Sequence, residues 1–270
     1  MTYSLQSWVP ATWSQIIGNS KAKAFLRRLV KKLRTEYATT GQIPSAVRRA
    51  FILSGDSRTG KTIMVKMLVR SLMCLEVDED LNPCSGTCNA CVQMPGVYSV
   101  EGLFSEVSTP KGQIPVDLSV IDCTQIITPG DLLKVLHGIE VRADELRIVY
   151  FDEVHRLVKR GMDEMLLKQI EDKPVMWIFS TAETDNLEPM FLNRCLKLET
   201  EEPCVDEMES WLCDRCDEHG IRWTPEAVIR VVKKSNRTPG LALQALALAE
   251  LYSDGLTLDL VENDWKVRVE

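Results

Sequence analysis

Gly55, Gly60, Lys61 and Thr62 stand in the stretch "GDSRTGKT" at the spacing G-x-x-x-x-G-K-[ST]. Residues of these types at this spacing suit one chemistry, the holding of phosphate. Successive backbone N–H groups and a helix N-terminus form a concave anion site that needs no side-chain cage. Gly55, Ser57, Arg58, Thr59 and Gly60 would form the cradle, Lys61 would reach the β- and γ-phosphates, and the Thr62 hydroxyl would ligate magnesium. A loop of this composition also arises by chance. Against chance stands its context: "AFILS" ahead of it reads as a buried strand, and Ile63, Met64, Met67, Leu68, Ser71 and Leu72 share one helical face. About ninety residues further on, "IVYFDEVHRL" brings Asp152 and Glu153 to the C-terminal end of another buried strand, where open α/β sheets bind ligands. Asp152 would hold the magnesium, directly or through water, and Glu153 would polarise an attacking water. Alone, such a string usually just ends a strand; downstream of a phosphate loop it gains meaning.

Thiols make the second cluster. Cys84, Cys88 and Cys91 lie in "NPCSGTCNAC", with Cys74 ten residues earlier. Cys-x3-Cys-x2-Cys puts three thiolates within reach of one tetrahedral ion, and Cys74 can supply the fourth ligand. Four ligands with no open position describe a structural zinc; the alternative is a set of scattered buried thiols. Cys213 and Cys216 in "WLCDRC" sit inside a predicted helix with no second pair near, and read as core or surface thiols.

Such residues need a scaffold, and the pattern along the chain is that of an α/β domain. Strands are expected at Ala50–Ser54, Val116–Asp122, Glu145–Glu153, Val175–Thr181 and Cys195–Glu199. Helices are expected at Lys21–Thr35, Ile63–Cys74 and Met162–Glu171. After Pro203 the strands stop, and Val205–His219, Pro225–Lys234 and Gly240–Leu251 read as three helices. The division is therefore 1–200 as a nucleotide-binding domain carrying a thiol module at 74–91, 201–252 as a small helical domain, and 253–270 as a tail. With 270 residues, 45% apolar, the chain can bury a substantial core. Its net charge of −7 argues against coating nucleic acid along the whole surface. The basic helix "KAKAFLRRLVKKLR" could contact DNA phosphates, although such stripes are more often solvated faces. No apolar run approaches a membrane span and no signal peptide opens the chain, so a cytoplasmic protein is expected.

Read in order, "WVPATWSQIIGNSKAKAFL", "FILSGDSRTGKT", the cysteine knuckle, "VDLSVIDCT", "IVYFDEVHRL", "LLKQIEDKP", "WIFSTAETDNLEPMFLNRC" and "PGLALQALAL" resemble the gamma/tau subunits of the bacterial DNA polymerase III clamp loader, an AAA+ ATPase family. The resemblance spans roughly residues 8–250, and the thiol module between the nucleotide motifs is its most specific element. It implies an AAA+ parallel-sheet domain followed by a three-helix lid, with ATP, magnesium and zinc as cofactors. It implies that Ile17 and Gly18 lie near the adenine, that Thr181 is the polar residue near the γ-phosphate, and that Arg194 is an arginine finger acting on a neighbour's ATP. Its partners would be other clamp-loader subunits, a sliding clamp and primer–template DNA, with no membrane. The implied function is that of a motor subunit loading the clamp; the alternatives are a catalytically silent scaffold subunit or another AAA+ machine such as a helicase loader. Three departures stand out. Asn193 replaces a serine, Leu243 stands where the family carries a sensor arginine with Arg237 nearby, and the tail is too short for the family's collar. The last suggests a truncated version or a divergent phage- or plasmid-type subunit.

Overall fold

A computed structural model gives residues 10–44, 47–92, 105–108, 114, 116–142 and 145–266, with backbone only for 38, 92 and 105–108. Trp8 and Val9, which open the resembling stretch "WVPATWSQIIGN", and the last four residues of the tail lie outside the described residues. By contact density the described chain divides into two compact units: one of residues 20–56 and 61–200, the other of 10–19, 57–60 and 201–266.

The first unit is built on a six-stranded sheet. Its strands are β1 (Ala50–Ser54), β2 (Ser105–Ser108), β3 (Val116–Asp122), β4 (Leu146–Asp152), β5 (Met176–Thr181) and β6 (Leu196–Glu199), in the order β2-β3-β4-β5-β1-β6. The five expected strands are all present and parallel to one another. β2 is an addition, pairing antiparallel with β3 at the edge. Around the sheet run α1 (Ser20–Thr40), α2 (Lys61–Met73), α3 (Asn89–Val92), α4 (Pro129–Gly138), α5 (His155–Val158), α6 (Asp163–Asp172) and α7 (Pro189–Arg194).

The alternation of side chains splits the core by face. Ile52, Ile121, Val149, Phe151, Trp177 and Phe179 form one cluster with Leu132 and Leu136 of α4, Leu166 of α6 and Phe191 of α7. Phe179 meets Phe191 edge-on with ring centroids 4.9 Å apart. On the other face Phe51 packs against Phe25 of α1 at 5.6 Å. Truncating a fully buried aromatic such as Trp177 would cost about 3–5 kcal/mol.

The sheet also buries a charge. Register sets Arg147 of β4 beside Asp117 of β3; Arg147 Nη1 lies 2.5 Å from Asp117 Oδ2 and Nη2 donates to Ser119 Oγ at 2.7 Å. Arg147→Met should cost about 3–5 kcal/mol in urea unfolding, because it strands the Asp117 carboxylate away from water. Replacing both partners by apolar residues should recover most of that loss. Equal stability of single and double variants would show that the pair contributes no such coupling.

The basic helix α1 is not a continuous solvated stripe. Arg34 Nη1 donates to the carbonyls of Ser71, Leu72 and Cys74 at 2.9, 3.2 and 2.9 Å, closing the C-terminus of α2. Arg27 pairs with Asp80 at 2.7 Å and Lys32 with Glu36 at 2.7 Å.

In the second unit α8 (Val205–Glu218), α9 (Pro225–Lys234) and α10 (Pro239–Ala249) are followed by a π-helical turn, Leu260–Asp264. Met208, Leu212, Val228, Val231, Leu246 and Val261 share its core with Ile17 of the N-terminal segment. Cys216 is in that core with Cys213 packed at its margin, and burial pushes the Cys216 thiol up to about 12. Trp211 Nε1 donates to the Gln15 carbonyl at 3.1 Å, fastening residues 10–19 to α8. No helix among the described residues is long and apolar enough to cross a membrane.

Candidate nucleotide and metal sites

The phosphate loop runs from the end of β1 into α2. Gly55 has φ +144°, and a Cβ there would lie 2.2 Å from Thr200 Oγ1 and 2.6 Å from the Thr200 carbonyl. Only glycine fits, because Thr200 N–H donates to the Ser54 carbonyl at 2.7 Å and brings the β6 strand-end against the loop. Arg58 (φ +65°) and Gly60 (φ +98°) place the tip in left-handed turns. Lys61 is buried, its Nζ donating to the carbonyls of Gly55 and Asp56 at 2.7 Å each. Burial lowers its pKa, while Glu153, Asp152 and Asp56 oppose that fall.

At the sheet's C-terminal edge one hydroxyl joins the two halves of the motif. Tyr150 OH lies 3.2 Å from Thr62 Oγ1, donates to Asp152 Oδ1 at 2.9 Å and sits 3.1 Å from Ser180 Oγ. Ser180 Oγ also bonds Asp152 and accepts the Glu153 N–H at 3.2 Å. Burial pushes the Tyr150 phenol well above its usual pKa, with Asp152 adding to the rise, so it stays a donor. Thr62 and Asp152 are thus one hydroxyl apart, an arrangement that suits two ligands of one magnesium ion. Glu153 has φ +57°, a costly conformation for a residue with a side chain and one that concentrates at functional sites.

Of the residues named from sequence, the structure brings Lys61, Thr62, Asp152 and Glu153 together and sets Thr181 apart from Asp152. Successive residues of β5 point to opposite faces, so Ser180 joins the Thr62–Tyr150–Asp152 network while Thr181 turns to His155. Thr181 Oγ1 lies 3.2 Å from His155 Nδ1 and accepts the Glu183 N–H at 3.0 Å. His155 is buried, with Nδ1 3.2 Å from Glu153 Oε2 and Nε2 3.4 Å from Glu183 Oε1. Burial lowers the pKa of His155, and the two glutamates pull it back. Thr181 Oγ1 and Glu153 Oε2 thus both face His155 Nδ1. Tyr150, Ser180 and His155 escape the sequence reading; the first sits inside the apolar run "IVYF" and carries no motif of its own.

Arg194 closes α7. Its Nε lies 2.5 Å from Glu171 Oε1 and its Nη1 donates to the Met190 carbonyl at 3.1 Å. In the second unit Ile17 packs into the helical core, and Gly18, at φ +64°, donates its N–H to Glu207 Oε1 at 3.1 Å. Leu243 packs at the margin of that core, and Arg237 pairs with Glu202 at 2.7 Å.

The four cysteines converge. The sulfurs of Cys74, Cys84, Cys88 and Cys91 all lie within 4.8 Å of one another, and those of Cys74 and Cys88 are 3.8 Å apart. Tetrahedral zinc with bonds near 2.3 Å would set sulfurs about 3.8 Å apart. Backbone N–H groups point at the sulfurs, from Cys84 and Glu76 to Cys74 at 3.2 and 3.4 Å and from Cys88 to Cys84 at 3.4 Å. Burial alone would raise the Cys84 thiol, but the N–H groups of Cys88 and Gly86 outweigh it and bring it to about 6, toward the thiolate a metal binds. Cys84 is further tied by its carbonyl, which accepts from Arg70 Nη2 at 3.2 Å.

A parallel sheet with a glycine loop after β1 and paired acids after β4 defines a nucleotide-binding class. The model of the ATPase family associated with various cellular activities (AAA) matches residues 51–201, more than half of the chain. This chain belongs to that family, and it is an ATPase by that membership. It is 22% identical over 249 residues to DNA polymerase III subunit gamma of Buchnera aphidicola subsp. Baizongia pistaciae, covering 91% of this chain and 58% of the relative. It is 23% identical over 259 residues to DNA polymerase III subunit tau of Escherichia coli, covering 94% and 36%. The chain thus spans little more than half of the one relative and about a third of the other. Among solved structures, the Thermotoga maritima RuvB Holliday junction branch migration motor shares the fold, with a TM-score of 0.61 and 18% identity over 94% of this chain and 70% of that one.

Proposed function

We propose that this chain is the ATPase motor subunit of a DNA polymerase clamp loader, coupling ATP binding and hydrolysis to the placing of a sliding clamp on primed DNA. The observation that carries the reading is the four-thiol cluster lying between the phosphate loop and the acid-ended strand, in a chain similar over 91% and 94% of its length to gamma and tau subunits. In this reading the loop and Lys61 hold the phosphates, Thr62 and Asp152 hold magnesium, and Ile17 and Gly18 border the adenine. Magnesium, when bound, neutralises charge that develops on the phosphoryl oxygens. Glu153 orients the attacking water, Thr181 is the polar residue near the γ-phosphate, and Arg194 serves a neighbouring subunit. Other loader subunits, clamp and primer–template DNA are the partners.

Alone, the chain should turn over ATP poorly, and partner subunits, clamp and primed DNA together should stimulate it at least about tenfold, since the charge that stabilises the transferring phosphoryl group comes partly from a neighbour. Steady-state turnover with and without partners, at fixed salt, is the measurement. A lone chain that hydrolyses ATP at an undiminished rate, indifferent to clamp and DNA, would mark a self-contained nucleotidase. A complex that forms and never hydrolyses would mark a scaffold subunit.

Zinc is the cofactor that the cluster fits, in a structural role. Metal analysis of protein purified without chelator should find one zinc per chain. Cys88→Ser should lower both the zinc content and Tm, by roughly 2–4 °C for each kcal/mol lost in a chain of this size. An absence of zinc from the native protein would overturn the assignment.

A further inference from the structure

One side chain with no part in the roles described so far joins three separated stretches of sequence. Asn19 is 6% exposed, and its carboxamide is used at both ends. Nδ2 donates to the Thr59 carbonyl at 2.9 Å and more weakly to the Ile17 carbonyl at 3.4 Å, while Oδ1 accepts the Glu201 N–H at 2.9 Å. Its backbone has φ +56°, directly after Gly18 at φ +64°. Asparagine tolerates that left-handed turn better than other residues with a Cβ, so the position favours it twice over. The second unit is assembled from residues 10–19, 57–60 and 201–266. Asn19 belongs to the first stretch, donates to the second and accepts from the third.

Thr59 is the third residue of the phosphate-loop tip, and its carbonyl is a buried group that must be paired. From another side the tip is bounded by α10. A Cβ at Gly240 would stand 3.0 Å from Arg58 Cβ and 3.6 Å from the Arg58 carbonyl. Arg58 Cβ is fixed to the loop backbone, so it can yield only if the loop does. The tip thus rests on glycine at one end and on the Asn19 amide at the other.

We infer that Asn19 is a positioning residue for the nucleotide's phosphates, acting through the Thr59 carbonyl to hold the loop tip in its left-handed turn. The same amide carries the tip's position to Glu201, where the helical segment begins. A ligand that moves Thr59 is therefore felt at Glu201, and the coupling works equally in the other direction. This inference rests on the loop being the phosphate site, and the test separates the two.

The experiment measures ADP and adenosine binding to the full chain by calorimetry and competition, with thermal unfolding of the same samples. Asn19→Ala should weaken ADP about tenfold, the worth of one or two lost hydrogen bonds, and leave adenosine, which has no phosphate, unchanged. Gly240→Ala is the second variant. Alanine is the better helix former but must displace Arg58, so this variant should weaken ADP by moving the loop tip from the α10 side. Should Asn19→Ala fail to fold, Asn19→Asp, which keeps an acceptor for the Glu201 N–H and removes the donor to the Thr59 carbonyl, decides in its place by the same ADP and adenosine measurements. Variants that melt lower yet bind ADP within about twofold of the parent would reduce Asn19 to a structural clasp and overturn the inference. Equal loss of ADP and adenosine would overturn it too. A parent chain that does not bind ADP would instead overturn the phosphate-loop reading itself.

Discussion

Arg194→Ala is expected to lower partner-stimulated ATP turnover by about 10³-fold or more while leaving the isolated chain's affinity for ADP unchanged. Arg194 ends α7 with its side chain 32% exposed, held by Glu171, whose own side chain is 55% exposed. A pair this open to water is worth under about 1 kcal/mol, so the guanidinium can exchange its partner for a phosphate at little cost. An arginine suits that exchange because its planar fork matches phosphate oxygens in two bonds, and lysine should not replace it. Turnover of the assembled complex and ADP binding by the separate chain are the paired measurements. Loss of ADP affinity in the isolated variant would make Arg194 a ligand of its own site and refute the role in trans.

Lys61→Ala is expected to remove about 10²–10³-fold of whatever turnover the parent shows, alone or assembled, and to weaken nucleotide binding as well. The ammonium is buried and anchored on two loop carbonyls, with Asp56, Asp152 and Glu153 as its charged neighbours. Removing it leaves the carboxylates of Asp152 and Glu153 uncompensated where an anionic ligand must approach. The phosphates then meet repulsion where they met attraction, so ground state and transition state both suffer. Lys61→Arg should not restore activity, because a guanidinium is too broad for a group held 2.7 Å from both Gly55 and Asp56 carbonyls. Single-turnover hydrolysis at saturating ATP separates the chemical step from binding. Retained hydrolysis in Lys61→Ala would mean that the loop's backbone alone suffices.

Much of the site was legible because its residues are local in sequence. Gly55 to Thr62 form one turn, Asp152 and Glu153 follow one strand, and four thiols lie within eighteen residues from Cys74 to Cys91. What escaped depends on neighbours distant in the chain. β5 is buried along its whole length, so its sequence gives no sign that Ser180, and not Thr181, shares a face with Asp152. Tyr150 reads as one more large residue in a buried run until β1, β4 and β5 come together around it. β2 is four residues with little apolar character, recognisable only through its pairing with β3. α4, absent from the expected elements, does carry a local signal: Thr128 and Asp131 form a reciprocal capping box, with proline at the first turn.

The second unit's discontinuity has a consequence for how the protein is made. Residues 57–60 leave the ribosome long before residue 201, whereas every strand of the sheet lies before residue 200. During synthesis the sheet unit can therefore close early, since domains generally fold as units as they emerge. The phosphate-loop tip must wait for residues after 200, because Gly240, which bounds it, and the Glu201 N–H, which holds the Asn19 amide, have yet to appear. A nascent chain stalled with Thr200 just outside the tunnel should show protected amides throughout β1 and β3 to β6, and fast hydrogen exchange at Arg58 and Thr59. Nucleotide capture would then follow the closing of the sheet, not accompany it.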